Sequence, residues 1–316
     1  MKYAPVLITT VSRYQHFIDC IESLSNCTWA DRTDVYVAVD YPAKDEHIEG
    51  NDKIKEYLNS CGKMNFKSLN VVYRTTNYFY SGKGNLKMLR DDVLKKYDRY
   101  IASEDDNVFS PNFLVYMNKG LEKFEEDHTV LAINGYRHFY PVKFERNTFF
   151  KQNVDFSAWG YATWKDRVER YTSGISSIYF QKHLSIKTFV KVLKNGNNRA
   201  IDFLQRCIDK KIVCDDSTLS VLMPIEGLNV IMPKESLVKN MGWDGSGEHC
   251  KEYDPELSNR HTTQQISSEL NFEFVGSGYE YYQENKRIYV RCSYGRKSLL
   301  ALLRYIVIYF KNVTLK

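Results

Sequence analysis

Three carboxylates stand in a row at Glu104-Asp105-Asp106, directly after the apolar run Tyr100-Ile101-Ala102-Ser103. Adjacent carboxylates repel and raise one another's pKa values unless a cation lies among them. Hard oxygen ligands of this kind suit Mg²⁺ or Mn²⁺, which bridge protein carboxylates to substrate phosphates. The plain alternative is a solvated acidic turn ahead of the helix expected after Pro111, and the residues alone leave both open. A second acidic pair, Asp215-Asp216, follows Ile212-Val213-Cys214 and precedes the helix-like run Leu219 to Met223. Asp and Ser cap helices there, while a carboxylate in such a place can also act as a general base. Gly82-Lys83-Gly84-Asn85 precedes a helical pattern, where glycines admit a ligand to the backbone and free amides favour anions; an ordinary turn is the alternative. Gly242 to Gly247 holds three glycines in six residues and runs on to Glu248-His249. Loops of this composition close over ligands and exclude water.

These residues need a frame to hold them. Apolar runs at Val6 to Thr10, Val35 to Val39, Leu69 to Arg74, Tyr100 to Ser103 and Val130 to Asn134 read as strands. Between them, Tyr14 to Leu24, Lys53 to Leu58, Asn85 to Lys95 and Pro111 to Phe124 read as helices. Strands alternating with helices imply an α/β fold, a mostly parallel sheet with helices on both faces. In such sheets ligands bind beyond the carboxyl ends of the strands, which is where the acidic triplet falls. After residue 140 the alternation stops: Phe144 to Tyr171 is aromatic-rich and Ile186 to Lys211 is helix-like.

The chain has 316 residues, 43% hydrophobic and 26% charged, with a net charge of +5. That is a globular composition, and too weakly basic for a dedicated nucleic-acid binder. The seven cysteines are scattered without a Cys-x-x-Cys pair, so zinc knuckles and thioredoxin-type chemistry are excluded and reduced thiols of a cytoplasmic protein are expected. Met1-Lys2-Tyr3-Ala4-Pro5 leads straight into a strand, so no secretory leader is expected.

Thr9-Thr10-Val11-Ser12-Arg13-Tyr14, Asp40 at the end of the second strand, and Glu104-Asp105-Asp106 followed by Phe109-Ser110-Pro111-Asn112-Phe113 together resemble the GT-A (Rossmann-like) nucleotide-sugar glycosyltransferases. The pattern is similar to the N-acetylglucosaminyltransferase I type and to bacterial family-2-like transferases of surface polysaccharide synthesis. Ser157-Ala158-Trp159-Gly160-Tyr161-Ala162-Thr163-Trp164 and Cys214-Asp215-Asp216 extend it over roughly residues 4 to 250. The resemblance implies that base and ribose contact Thr9, Thr10, Arg13 and Asp40, with Gly82, Lys83 and Asn85 in a loop over the nucleotide. It implies Mn²⁺ or Mg²⁺ on Asp106, with Glu104 or Asp105 assisting, and His249 as a further metal or diphosphate ligand. Asp216 becomes the expected base of an inverting transfer, with Asp215 the alternative, and Trp159 with Gly160 the expected wall of the acceptor pocket. Glu-Asp-Asp departs from the commoner Asp-x-Asp metal motif.

The expected organisation is a nucleotide-sugar half at 1–140, an acceptor half of the same domain at 141–255, and a C-terminal extension at 256–316. On a helix Lys297, Arg304 and Lys311 recur every seven residues beside Leu299, Leu300, Leu303, Ile306, Val307 and Phe310. Such a stretch is too short and charged to span a bilayer but suits the interface of an anionic membrane; a helix packed on the protein's own core is the alternative. The expected activity is transfer from a nucleoside diphosphate-sugar, UDP-linked by resemblance, to a glycan or lipid-linked glycan at the cytoplasmic face. The transferred unit would be a hexosyl or N-acetylhexosaminyl group. A sugar nucleotidyltransferase is the rival, though Thr9 to Tyr14 lacks the glycine-rich signature expected of one. A non-catalytic binding protein on the same scaffold is the other.

Overall fold

Short β-branched runs make the sheet, and their period of two decides which helices cover which face. The architecture comes from a computed structural model, which describes residues 1–60, 62, 64–81, 84–137, 147–153, 156–171, 179, 182–183, 185, 187–188, 191, 216–247, 255–276, 303, 306–307 and 309–311. The side chains of Asp216, Ser217 and Leu257 lie outside that description. The order is β1 (Val6–Thr10), α1 (Tyr14–Ser25), β2 (Asp34–Val39), α2 (Ile48–Ser60), β3 (Ser68–Tyr73), α3 (Asn85–Val93), β4 (Arg99–Glu104), β5 (Asn107–Phe109), α4 (Phe113–Lys123) and β6 (Val130–Asn134). It continues with β7 (Phe149–Gln152), β8 (Tyr161–Trp164), α5 (Lys165–Tyr171), α6 (Asp216–Glu226), β9 (Asn229–Pro233), β10 (Val238–Asn240) and α7 (Pro255–Thr262).

Eight strands form one sheet in the order β3-β2-β1-β4-β8-β6-β9-β7, and β5 pairs with β10 in a separate ribbon. The pairs β1–β2, β1–β4, β2–β3 and β6–β9 are parallel; β8 and β7 run antiparallel to their neighbours. Val6 and Ile8 of β1 and Val35, Val37 and Val39 of β2 join a core with Phe17, Ile21 and Leu24 of α1, Ile54 of α2 and Leu114 of α4. Leu7 and Ala38, one residue out of phase, meet Leu89 and Val93 of α3 and Val168 of α5 on the opposite face. Burial on both faces is why the parallel strands read as continuous apolar runs.

Strands from residues 6–134 and 149–233 share this sheet, so the two expected halves are joined through one layer. Beyond α7, Phe272 and Phe274 pack on Tyr116 of α4 at ring-centroid distances of 4.7 and 5.3 Å. The helix-like stretch Ile186 to Lys211 lies mostly outside the described residues. At the far end Leu303, Ile306, Val307, Tyr309, Phe310 and Lys311 are helical.

Candidate active site

The first three strands step outwards from β1 to β3, whereas β4 lies on the other side of β1. Strand order therefore reverses between β1 and β4, and the carboxyl end of that seam is where a doubly wound sheet leaves a crevice. Thr10 ends β1, Arg13 stands at the N-terminus of α1, and Asp105-Asp106 follow β4. Side chains expected to act together on sequence grounds meet here.

Arg13 forks between the two aspartates. Its Nη2 donates to Asp105 Oδ1, and its Nη1 donates to Asp106 Oδ2 at 2.7 Å. Thr10 Oγ1 donates to Asp105 Oδ2 at 2.7 Å, and Asn240 Nδ2 donates to Asp106 Oδ1 at 2.8 Å. Asn240 arrives because β10 pairs antiparallel with β5 and sets it opposite Asn107. The next turn closes over the carboxylate: a Cβ on Gly242 would lie 2.1 Å from Asp106 Oδ2, so only glycine fits. Asp106 is almost wholly buried. Burial, with Asp105 alongside, raises its pKa against the pull of Arg13. Burial alone would lower the Arg13 pKa, yet Asp105 and Asp106 hold it above its ordinary value.

This geometry bears on the expected metal. Every oxygen of Asp105 and Asp106 already takes a proton donor from the protein, and the positive charge among them is a guanidinium. Each of these oxygens accepts a single donor and keeps a second lone pair, so a divalent ion on Asp106 would compete with Arg13 and Asn240 for the carboxylate. Glu104, the third, is exposed at the end of β4. Among the described residues no group of three His, Cys, Asp or Glu side chains is placed to hold a metal ion. His249, the other expected ligand, lies outside the described residues.

Asp40 is buried at the end of β2 and accepts three backbone N–H bonds, from Tyr41 (2.9 Å), Tyr78 (2.8 Å) and Phe79 (3.0 Å). It therefore shapes the loop after β3; its expected contact with a ribose remains a proposal. Asn85 does similar work: its Nδ2 donates to the Ala38 carbonyl at 2.9 Å, and its Oδ1 accepts from Arg74 Nε at 2.9 Å. Arg74 in turn lies 4.7 Å over the Tyr78 ring. Thr9 is half-buried in β1, in register with Ala38 and Glu104. Gly82 and Lys83 lie outside the described residues. The loop after β3 displays Phe79 and Tyr80, and the turn after β2 displays Tyr41; the three are about half exposed at 53, 49 and 48%. Rings presented this way can stack on a planar ligand such as a base. Sequence reasoning missed them, although Tyr78-Phe79-Tyr80 is a conspicuous aromatic run before Gly82.

A second group of rings adjoins Gly242. Trp243 stacks on His261 with centroids 4.3 Å apart, Trp159 meets Trp243 edge-on at 6.1 Å, and Tyr136 meets Trp159 edge-on at 4.7 Å. Tyr136 Oη and His261 Nδ1 lie 3.1 Å apart in a hydrogen bond. Trp159 and Trp243 are half-buried, so part of this cluster faces solvent. Trp159 was expected in such a wall; Trp243 and His261 were not, because nothing local in the sequence joins residues 159, 243 and 261. Gly160, beside Trp159, has a φ of +70° and lies close to Phe113 and Val238, so a larger residue would be strained there. The glycine-rich loop is fastened down by Asp244, which pairs with His16 Nε2 at 2.8 Å. Burial would raise the Asp244 pKa, but hydrogen bonds from Ser246 and His16 hold it at about 2. Asp216 opens α6, and Asp215 lies outside the described residues.

No family model and no curated protein matches the sequence. Among solved structures, the mannosyltransferase PcManGT from Pyrobaculum calidifontis, in complex with GDP-Man and Mn²⁺, is similar at 13% identity and a TM-score of 0.36. That likeness covers 53% of this chain and 46% of the mannosyltransferase. Residues 1–349 of TarS from S. aureus are similar at 12% identity and a TM-score of 0.40, over 75% of this chain and 60% of that one. The chain thus matches about half to three fifths of either neighbour's length. At this distance neither neighbour decides the reaction, which has to be argued from the side chains.

Proposed function

We propose that this chain is a GT-A-type glycosyltransferase that takes its sugar from a nucleoside diphosphate donor. The observation that carries the reading is the convergence of Thr10, Arg13, Asp105 and Asp106 at the β1–β4 switch point, flanked by exposed Tyr41, Phe79 and Tyr80 on one side and by Trp159 and Trp243 on the other. A nucleoside fits the first group of rings, the diphosphate the strand ends, and a sugar the second group, since ring faces suit sugar C–H faces. UDP-linked donors and a hexosyl or N-acetylhexosaminyl group are the proposed donor class.

Departure of a nucleoside diphosphate leaves negative charge that fixed positive groups can stabilise. Arg13 is the cation built into the described site; Asp105 and Asp106 hold its charge, so it serves the leaving group once a donor phosphate replaces an aspartate on it, and no step is routed through a metal. The mannosyltransferase neighbour was solved with Mn²⁺, but here the carboxylates that would hold such an ion are engaged by Arg13 and Asn240. For an inverting transfer the acceptor hydroxyl needs a base on the face opposite the leaving group. Asp216 at the head of α6 is the proposed base, with Asp215 beside it. The proposed acceptor is a glycan or lipid-linked glycan of surface polysaccharide synthesis.

No helix among the described residues is long and apolar enough to cross a membrane. The proposed contact with an anionic membrane at the cytoplasmic face is supported by the last helical stretch. Leu303, Ile306, Val307 and Phe310 share one helical face and are 56, 41, 53 and 59% exposed, against the alternative of packing on the core.

A thermal-shift panel of UDP-, GDP- and CMP-sugars tests donor binding. A donor at 100 times its Kd stabilises by about 2.7 kcal/mol, roughly 5 °C for a chain of this size. One nucleotide class should give that shift; no shift from any of them would remove the nucleotide-binding half of the proposal.

A further inference from the structure

Behind the aromatic cluster lies a cleft of about 430 Å³, lined by Arg137, Arg260, Glu235, Ser236, Thr263 and Gln264 among others. This volume lies within the usual range for small-molecule sites, roughly 300–1,000 Å³. Three separate stretches of chain build it, and they are tied to one another. The Arg137 amide donates to Ser236 Oγ at 3.1 Å, Ser236 Oγ donates to the Val238 carbonyl at 2.7 Å, and Gln264 Nε2 donates to the Arg137 carbonyl at 2.9 Å. The Ser267 amide adds a bond to the Ser236 carbonyl at 3.4 Å. A wall cross-linked in this way is set before a ligand arrives, which lowers the ordering cost of binding.

Its chemistry is specific. Two guanidinium groups line one small cleft, and Arg is the side chain best suited to planar, forked recognition of carboxylate or phosphate. Glu235, Thr263 and Gln265 add acceptors and donors of the kind that sugar hydroxyls use. Position links the cleft to the site already described. Arg137 follows Tyr136 and Arg260 precedes His261, and those two rings belong to the cluster with Trp159 and Trp243. The aromatic cluster and the basic cleft are thus built from the same two segments, and Gly242 beside Trp243 lies on Asp106.

We propose that this cleft binds a sugar unit bearing an anionic group, carboxylate or phosphate, in the acceptor. The proposal rests on the transferase reading for its biological sense, but its test does not. Binding to the full-length chain is measured by saturation-transfer NMR and calorimetry with glucuronic acid, glucose 6-phosphate and glucose, and separately with UDP, GDP and CMP. The two anionic sugars should bind and glucose should not, with whichever of the two is tighter identifying the group. Arg260→Gln should weaken anionic-sugar binding about tenfold or more, the scale of a lost charge-assisted bond, and leave UDP binding unchanged. Glu235→Gln, which removes the opposing charge and keeps an acceptor, should tighten it. Equal binding of glucose and glucuronic acid, or an Arg260→Gln protein that binds as the wild type does, would overturn the proposal even if UDP binds. Failure of UDP, GDP and CMP alike, with retained, Arg260-dependent anionic-sugar binding, would instead sink the transferase reading and leave the cleft standing.

Discussion

Replacing Arg13 by Gln removes the cation from a site whose two aspartate side chains are only 6 and 7% exposed. Breaking a buried ion pair by deleting one partner costs about 3–5 kcal/mol. Here a ceiling can be worked out, because Asp106 can take up a proton instead of remaining charged. Holding a carboxyl protonated at pH 7 against an unfolded pKa of about 3.9 costs roughly 3.1 pH units at 1.36 kcal/mol each, about 4 kcal/mol. The expected loss at pH 7 is therefore about 3–4 kcal/mol, some 6–8 °C in Tm. Its pH dependence has a definite sign. A carboxyl whose folded pKa is raised binds a proton on folding, so the variant gains stability as pH falls towards the unfolded pKa. Between pH 7 and pH 5 the gap to wild type should narrow by up to about 2.7 kcal/mol. Urea denaturation of both proteins at the two pH values measures this. Millimolar Mn²⁺ should recover part of the variant's stability, since its carboxylates are then without their cation. A loss below about 1 kcal/mol at pH 7, or a gap independent of pH, would refute the buried Arg13–Asp105–Asp106 arrangement.

Gly242→Ala places a methyl group against Asp106 and should destabilise by about 1–3 kcal/mol, the usual range for overpacking, and weaken donor binding; both are read in one thermal-shift series. Asp244→Asn removes the tie to His16. With a folded pKa of about 2, Asp244 contributes stability that is present above about pH 4 and lost as pH falls towards 2, so amide exchange in residues 241–247 should speed up in the variant at pH 6 and differ little from wild type near pH 2. Asp216→Asn should leave donor binding intact and lower turnover by roughly 10²- to 10⁴-fold; turnover within a factor of two of wild type would move the role to Asp215. Full-length protein should sediment with anionic vesicles at low salt, and a Leu303→Glu, Val307→Glu protein should not.

The alternating half of the chain was readable because local pattern and tertiary burial agree there. Val6 to Thr10 appears with the same ends as β1, and Tyr14 to Leu24, Asn85 to Lys95 and Pro111 to Phe124 fall within two residues of α1, α3 and α4 at each end. The helix around Lys53 to Leu58 is longer than its apolar pattern, because the first turn of Ile48–Ser60 carries Glu49, Gly50 and the buried Asn51, which fall outside any apolar period. Strands β7, β8 and β9 carry few sequence cues: each has four or five residues, and the aromatic stretches at β7 and β8 read equally well as loop or core. The members of the candidate site were legible, but their relationships were not. Thr10, Arg13, Asp105 and Asp106 could be nominated from strand ends. That Arg13 would occupy the place expected for a metal depends on contacts about 92 residues apart in sequence. Asn240 was invisible for the same reason, since β10 reaches Asp106 only by pairing with β5.

As a transferase, the chain must break the bond between a sugar and a nucleoside diphosphate in the β1–β4 crevice. Incubating the purified chain with the nucleotide-sugar that stabilises it most, with and without EDTA, and following nucleoside diphosphate release by chromatography tests this directly. Release should survive EDTA, increase when a glycan acceptor is added, and fall at least a hundredfold in Asp216→Asn, the lower bound for loss of a general base. A bound donor that remains intact under every condition would contradict it and leave a nucleotide-sugar-binding protein in place of a transferase.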